Sequence, residues 1–194
     1  MKNIKLLITV VSCSLAILSS GCSTKRNMQI PAQKFERRAS EQAEIDKEIE
    51  TNIRENWRDD DQMRRFSHMN INVYDGAALL TGEAMNEAIK SKIIEMVRVV
   101  KGVKMVHDNL IIDYPSDNLS RANDRRIAQN IRQALRQIHD FSNFDPSQQI
   151  KIVVEQSCVY LMGRVHRDEG TVVINVIRLD PDIRQLITVF DYMD

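Results

Sequence analysis

Two stretches of this chain carry the same pattern, and that repetition limits the fold more than any other feature. Ile71-Asn72-Val73 is answered by Ile152-Val153-Val154, and Ala78-Leu79-Leu80-Thr81-Gly82 by Val159-Tyr160-Leu161-Met162-Gly163, both at an offset of 81 residues. Upstream, Ile49, Ile53 and Trp57 are matched by Ile127, Ile131 and Leu135 at an offset of 78. A self-similar period of this length means one small unit built twice.

The first copy shows what the unit is. Ile45, Ile49, Ile53 and Trp57 are spaced by four, which places them on one stripe of a helix. A loop rich in Asp and Arg follows. Ile71 to Tyr74 alternates as a strand, Asp75-Gly76 supplies a turn, and Ala77 to Leu80 returns as a second strand closed by Gly82. Glu87 to Val100 reads as a helix with Ile89, Ile93, Met96, Val97 and Val100 on one face. Lys101-Gly102 breaks it, and Val103 to Ile112 makes a third strand.

The order is αββαβ, and it recurs after the turn-forming linker 114–119. The second copy has a helix from Arg121 to Gln137, then a longer loop through Phe141, Phe144 and Pro146. Its second helix falls on Val172-Val173-Ile174-Asn175-Val176-Ile177, a β-branched run of poor helix propensity, and is assigned because the repeat demands it. Leu186 to Tyr192 is its last strand. The expected fold is α+β: two tandem small αββαβ domains, 41–113 and 120–194.

Ile71, Val73, Gly76, Ala78, Leu80, Gly82, Gly102, Val103, Val106 and Leu110 form a pattern that resembles the BON domain. The second copy departs from it: Ser157 stands where the turn glycine is expected, and Asp182 replaces the counterpart of Gly102.

Before the repeats, Lys2 and Lys5 precede an apolar run from Leu6 to Leu18 that ends in Ser19-Ser20-Gly21-Cys22. The run is short of the roughly 20 residues that span a bilayer. A basic start, apolar middle and small-residue end are the parts of a secretory signal peptide. The end resembles a bacterial lipobox, with Ser19 at the usual leucine position. That resemblance implies cleavage after residue 21 and a diacylglyceryl and acyl (palmitate-type) modification of Cys22. Ser23 after the cysteine implies sorting to the outer membrane. Residues 22–40 are polar, contain Pro31 and read as a lipidated cysteine and flexible tether; its 18 residues after Cys22 span roughly 25 Å as a random coil. Together with the repeats, these features resemble dual-BON outer-membrane lipoproteins of the DolP type. The implied role is periplasm-facing maintenance of envelope integrity.

Catalysis finds no footing. His68, His107, His139 and His166 are scattered with no metal-ligand spacing, and no nucleophile elbow or phosphate-cradling glycine loop occurs. Asp59-Asp60-Asp61 lacks the ordered ligands and glycine of a calcium loop and reads as a solvated helix end. Cys158 has no basic or histidine partner nearby in sequence and reads as a small strand residue. No enzyme, metal, cofactor or small-molecule substrate is expected. The 27 basic and 27 acidic residues balance, which gives no global field for nucleic acid.

Charge is instead divided between the leading helices. The first is acidic: Glu41, Glu44, Asp46, Glu48, Glu50 and Glu55 oppose Lys47, Arg54 and Arg58. The second carries Arg121, Arg125, Arg126, Arg132 and Arg136 against Asp124 alone. At about 100° per residue, Arg121, Arg125, Arg132 and Arg136 fall within roughly a 60° arc opposite Ile127, Ile131, Ala134 and Ile138. Such a face suits anionic phospholipid, since arginine offers bidentate hydrogen bonds to phosphate. The ordinary alternative is a solvated outer face. In the family resembled, the corresponding helix of the second domain contacts phospholipid, and Asn123, Asp124, Ile127, Ile131, Arg132 and Leu135 fit its pattern. The aromatic expected in its first turn is Arg126 here. Two further readings are an adaptor that docks on outer-membrane assembly proteins, and an acidic helix packed on the basic one.

Overall fold

The computed structural model describes residues 40–139 and 143–193. The signal-peptide, Cys22 and tether expectations, and Phe141, lie outside the described residues.

The first half opens with α1 (Ser40–Asp59), which buries Ile49 and Ile53. Ile45 is exposed on the helical stripe, and Asp46 next to it is fully buried. The expected loop after α1 is in part a helix, α2 (Asp61–Phe66). The Asp60 carboxylate caps it by accepting from the backbone N–H groups of Gln62 and Met63, and Met63 packs into the core. The acidic run is thus the cap between two helices, and Lys92 lies 2.6 Å from Asp60.

β1 (Ser67–Tyr74) and β2 (Ala77–Ala84) form an antiparallel hairpin. Asn86 caps α3 (Glu87–Arg98), which crosses over to β3 (Met105–Ile112), parallel to β2.

The second half repeats the topology: α4 (Asn118–Leu135), a short α5 (Pro146–Gln149), β4 (Lys151–Glu155), β5 (Cys158–Val165), α6 (Arg167–Ile177) and β6 (Gln185–Tyr192). Asp117 caps α4, so the helix starts ahead of the expected boundary at 120. The β-branched run is helical. Its N-terminus is closed by Glu169, which accepts from the His166 N–H, and its apolar face buries Val173 and Ile177. Here the need to cover the sheet outweighs helix propensity. The hairpin registers agree between halves: Ile71 faces Leu80 as Ile152 faces Leu161.

Each half has three strands with the hairpin's return strand in the middle. Helices cover one face of each sheet. Ile53, Ile71, Val73, Leu80, Ile93 and Val97 fill one core, and Ile127, Ile131, Leu135, Val159, Leu161 and Val173 the other. The opposite faces of the sheets meet each other through Tyr74, Leu79, Val153, Cys158, Tyr160 and Met162. β2 and β5 are therefore covered on both sides, which explains why almost every one of their residues is buried.

Polar clasps rim this junction. Lys151 donates to Glu50 and, at 3.1 Å, to the Val73 carbonyl, while Glu50 accepts from the Val73 N–H. The Arg164 guanidinium lies 3.2 Å from Asp75, and its backbone N–H donates to the Tyr74 hydroxyl. The charged helices are not packed on one another: α1 packs chiefly on β1, α2 and α3, and α4 on β4, α5 and α6. That disposes of the acidic-on-basic packing. Among the described residues no helix is long and apolar enough to cross a membrane.

Candidate functional site

Both leading helices are held to their sheets by one device. The Asp46 carboxylate accepts from the backbone N–H groups of Asp75 (2.7 Å) and Gly76 (2.9 Å) in the β1–β2 turn. Asp124 accepts from Gln156 (2.9 Å) and Ser157 (2.8 Å) in the β4–β5 turn. All four turn residues have positive φ, so each turn presents consecutive N–H groups toward the helix. Asp124 is thereby a fixed structural acid.

Its placement sets the azimuth of α4. Ile127, Ile131 and Leu135 go into the core, and Arg121, Arg125 and Arg132 line one wall of a groove of about 540 Å³. The floor and far wall come from Ile152, Val153, Val154 and Glu155 of β4 and from His68, Asn70 and Asn72 of β1. The groove therefore draws on both halves of the chain.

The five arginines divide. Arg121 is half-buried and tied down, donating from Nε and Nη2 to the Ser116 hydroxyl and carbonyl. Arg125 and Arg132 are exposed at the groove, and their guanidinium groups have no hydrogen-bond or ion-pair partner among the described residues. Arg126 turns to the 180s loop: Nη1 lies 2.9 Å from Asp182 and Nη2 donates to Asn123 at 2.8 Å. Two of the positions where the second copy departs from the expected pattern, Arg126 and Asp182, thus bind each other. Arg136 is the exposed C-cap of α4 and does not line the groove.

At the groove's inner end lies a cluster that sequence reading missed. His68 Nδ1 is 3.2 Å from Glu83 Oε2 and 3.7 Å from Glu155 Oε1. Glu83 also accepts from the Ser116 N–H (3.1 Å) and the Gln156 side chain (2.6 Å). The two carboxyls respond differently to the same surroundings. Burial works against the Glu83 anion, but the hydrogen bonds from His68, Ser116 and Gln156 outweigh it and hold that carboxyl below its usual range. Burial pushes Glu155 up to about 7; Glu83 and Asp124 add to the rise, while His68 and Arg121 oppose it. The three residues come from three strands at wide separations, and the only signal in sequence is that Glu83 and Glu155 occupy positions of otherwise apolar strands.

Comparison with known proteins bears on the first half. Residues 45–114 match the BON domain family model. Two solved structures of CdsD, a structural protein of the type III secretion system of Chlamydia trachomatis, are similar to this chain. One, its C-terminal domain, is 13% identical with a TM-score of 0.31 and covers 74% of this chain and 96% of its own. The other is 13% identical with a TM-score of 0.28 and covers 75% and 92%. Likenesses of that size carry no argument here. The BON family is known for membrane or phospholipid binding and is in general non-catalytic. The chain carries a BON domain, over residues 45–114.

Proposed function

We propose that this protein is a non-enzymatic, periplasm-facing outer-membrane lipoprotein that engages anionic phospholipid through the α4 groove. The observation that carries the reading is the state of Arg125 and Arg132: two exposed guanidinium groups on a concave wall, with no anion paired to either among the described residues. Arginine on an ordinary solvated helix face sits on a convex surface. Here the groove gives a headgroup phosphate a place to enter and two planar donors to meet it.

Electrostatics alone makes this a weak contact, on the order of 1 kcal/mol for each basic residue near an anionic surface. Lipidation at Cys22 supplies what the groove lacks. Acyl chains make attachment stable and keep the groove at high local concentration beside the bilayer. Under this division of labour the lipid anchor holds the protein and the arginines choose the headgroup. The contribution to envelope integrity follows from the resemblance to lipoproteins of this architecture.

The test is flotation of the chain from Ser23 onward, which lacks the acylated cysteine, with liposomes containing or lacking phosphatidylglycerol or cardiolipin. Co-flotation that requires anionic lipid supports the reading. Absence of flotation at low salt removes direct lipid recognition and leaves an adaptor that docks on envelope assembly proteins.

A further inference from the structure

We propose that His68, Glu83 and Glu155 form a binding site for a divalent metal ion of the zinc class, which staples the two halves of the chain together at the inner end of the α4 groove. Zinc binds nitrogen and carboxylate oxygen at about 2.0–2.1 Å in tetrahedral geometry, which sets neighbouring donor atoms roughly 3.3 Å apart. The separations of 3.2 Å and 3.7 Å from His68 Nδ1 to the two carboxylates bracket that value, and all three donor atoms lie within 4.8 Å of one another.

A second, separate observation points to a ligand. Glu155 is only 7% exposed and accepts no hydrogen bond among the described residues. A buried carboxylate without a donor is expensive. Its one cationic-type neighbour within 4 Å among those residues is His68, and that ring nitrogen is already engaged by Glu83 at hydrogen-bond distance. A cation between the three groups satisfies Glu155 and neutralises two carboxylates with two positive charges.

The surroundings fit a metal ligand set. Glu83 is oriented by the Ser116 N–H and the Gln156 amide, which are the kind of outer contacts that fix ligating carboxylates. His68 and Glu155 both line the groove, so the fourth coordination position opens toward solvent and gives the ion a path in. One imidazole with two carboxylates favours zinc over calcium or magnesium, which take all-oxygen sets. The site uses none of the arginines and stands whether or not the groove binds lipid.

The experiment is titration of the full chain, stripped with chelator and held in detergent, with Zn²⁺ in competition with a chromophoric chelator. Co²⁺ is used in parallel for its visible spectrum. The expected result is one ion per chain, a tetrahedral Co²⁺ spectrum and a rise in Tm on adding metal. Glu155→Gln and Glu83→Gln should each weaken binding at least about tenfold, and His139→Gln should leave it unchanged. Glu155→Gln removes a buried charge that lacks a donor, so its metal-free fold is at least as stable as the native one and loss of binding is readable. No stoichiometric binding, or undiminished binding in Glu155→Gln, overturns the proposal.

Discussion

Asp46 and Asp124 stand 78 positions apart and hold the same post: each buried carboxylate accepts two consecutive backbone N–H groups from the hairpin turn of its own half. In sequence they look like ordinary helix charges. In the structure they set the rotation of α1 and α4 about their axes, and through α4 the orientation of the arginines.

Removing either carboxylate strands two turn donors. Asp46→Ala should destabilise by roughly 2–4 kcal/mol, because the buried Gly76 amide and the half-buried Asp75 amide lose their acceptor. Asp46→Asn, which keeps one acceptor oxygen, should cost less. Urea unfolding of the three proteins orders them. Equal stabilities would show that the turn holds without the helix.

The repeat also predicts an asymmetry. A Cβ on Gly82, which has φ of +114°, would sit 2.1 Å from the His68 carbonyl oxygen. At its counterpart Gly163 the closest atom is the Gln149 carbonyl oxygen at 3.1 Å, and φ there is not positive. Gly82→Ala should therefore cost roughly 3 kcal/mol or more and Gly163→Ala closer to 1 kcal/mol. Thermal melts of the pair compare them directly.

Much of this architecture was legible because apolar spacing reports which face of an element is buried. The order αββαβ, the hairpin register and the arginine helix all follow from Ile49, Ile53, Ile71, Val73, Leu80 and their repeats. α2 was not legible: its six residues carry too few apolar positions to show a period, and its cause is the Asp60 cap. Nor could spacing reveal that Arg126 is spent on Asp182, or that His68, Glu83 and Glu155 converge. The first depends on how α4 packs beside the loop between α6 and β6 of its own half, the second on how the outer faces of the two sheets meet, through residues such as Tyr74 and Tyr160, and local periodicity carries no record of either contact.

The buried Glu155 gives a pH signature in metal-free protein. His68 from β1, Glu83 from β2, and Asp124 and Arg121 from α4 face it, and the balance raises its carboxyl from 4.5 to about 7, with burial the largest cause. A raised value means the folded state favours the protonated acid. The stability this contributes is complete below about pH 4.5 and is lost as pH rises through 7. Glu155→Gln stays neutral throughout, so with chelator present it should match the native chain near pH 4.5 and exceed it above pH 7, by roughly 2–3 kcal/mol. The opposite contribution of Glu83 is common to both proteins. A stability difference that does not change with pH would contradict this account.

The most direct test of the groove sets two charge reversals of equal size against each other. One chain from Ser23 onward carries Arg125→Glu with Arg132→Glu, the other Arg126→Glu with Arg136→Glu, and both are floated with anionic liposomes beside the native chain. The account predicts that the first pair abolishes flotation while the second retains most of it, with all three proteins folded by circular dichroism. Equal loss in both would mean that net charge, and not the groove, brings this protein to the membrane.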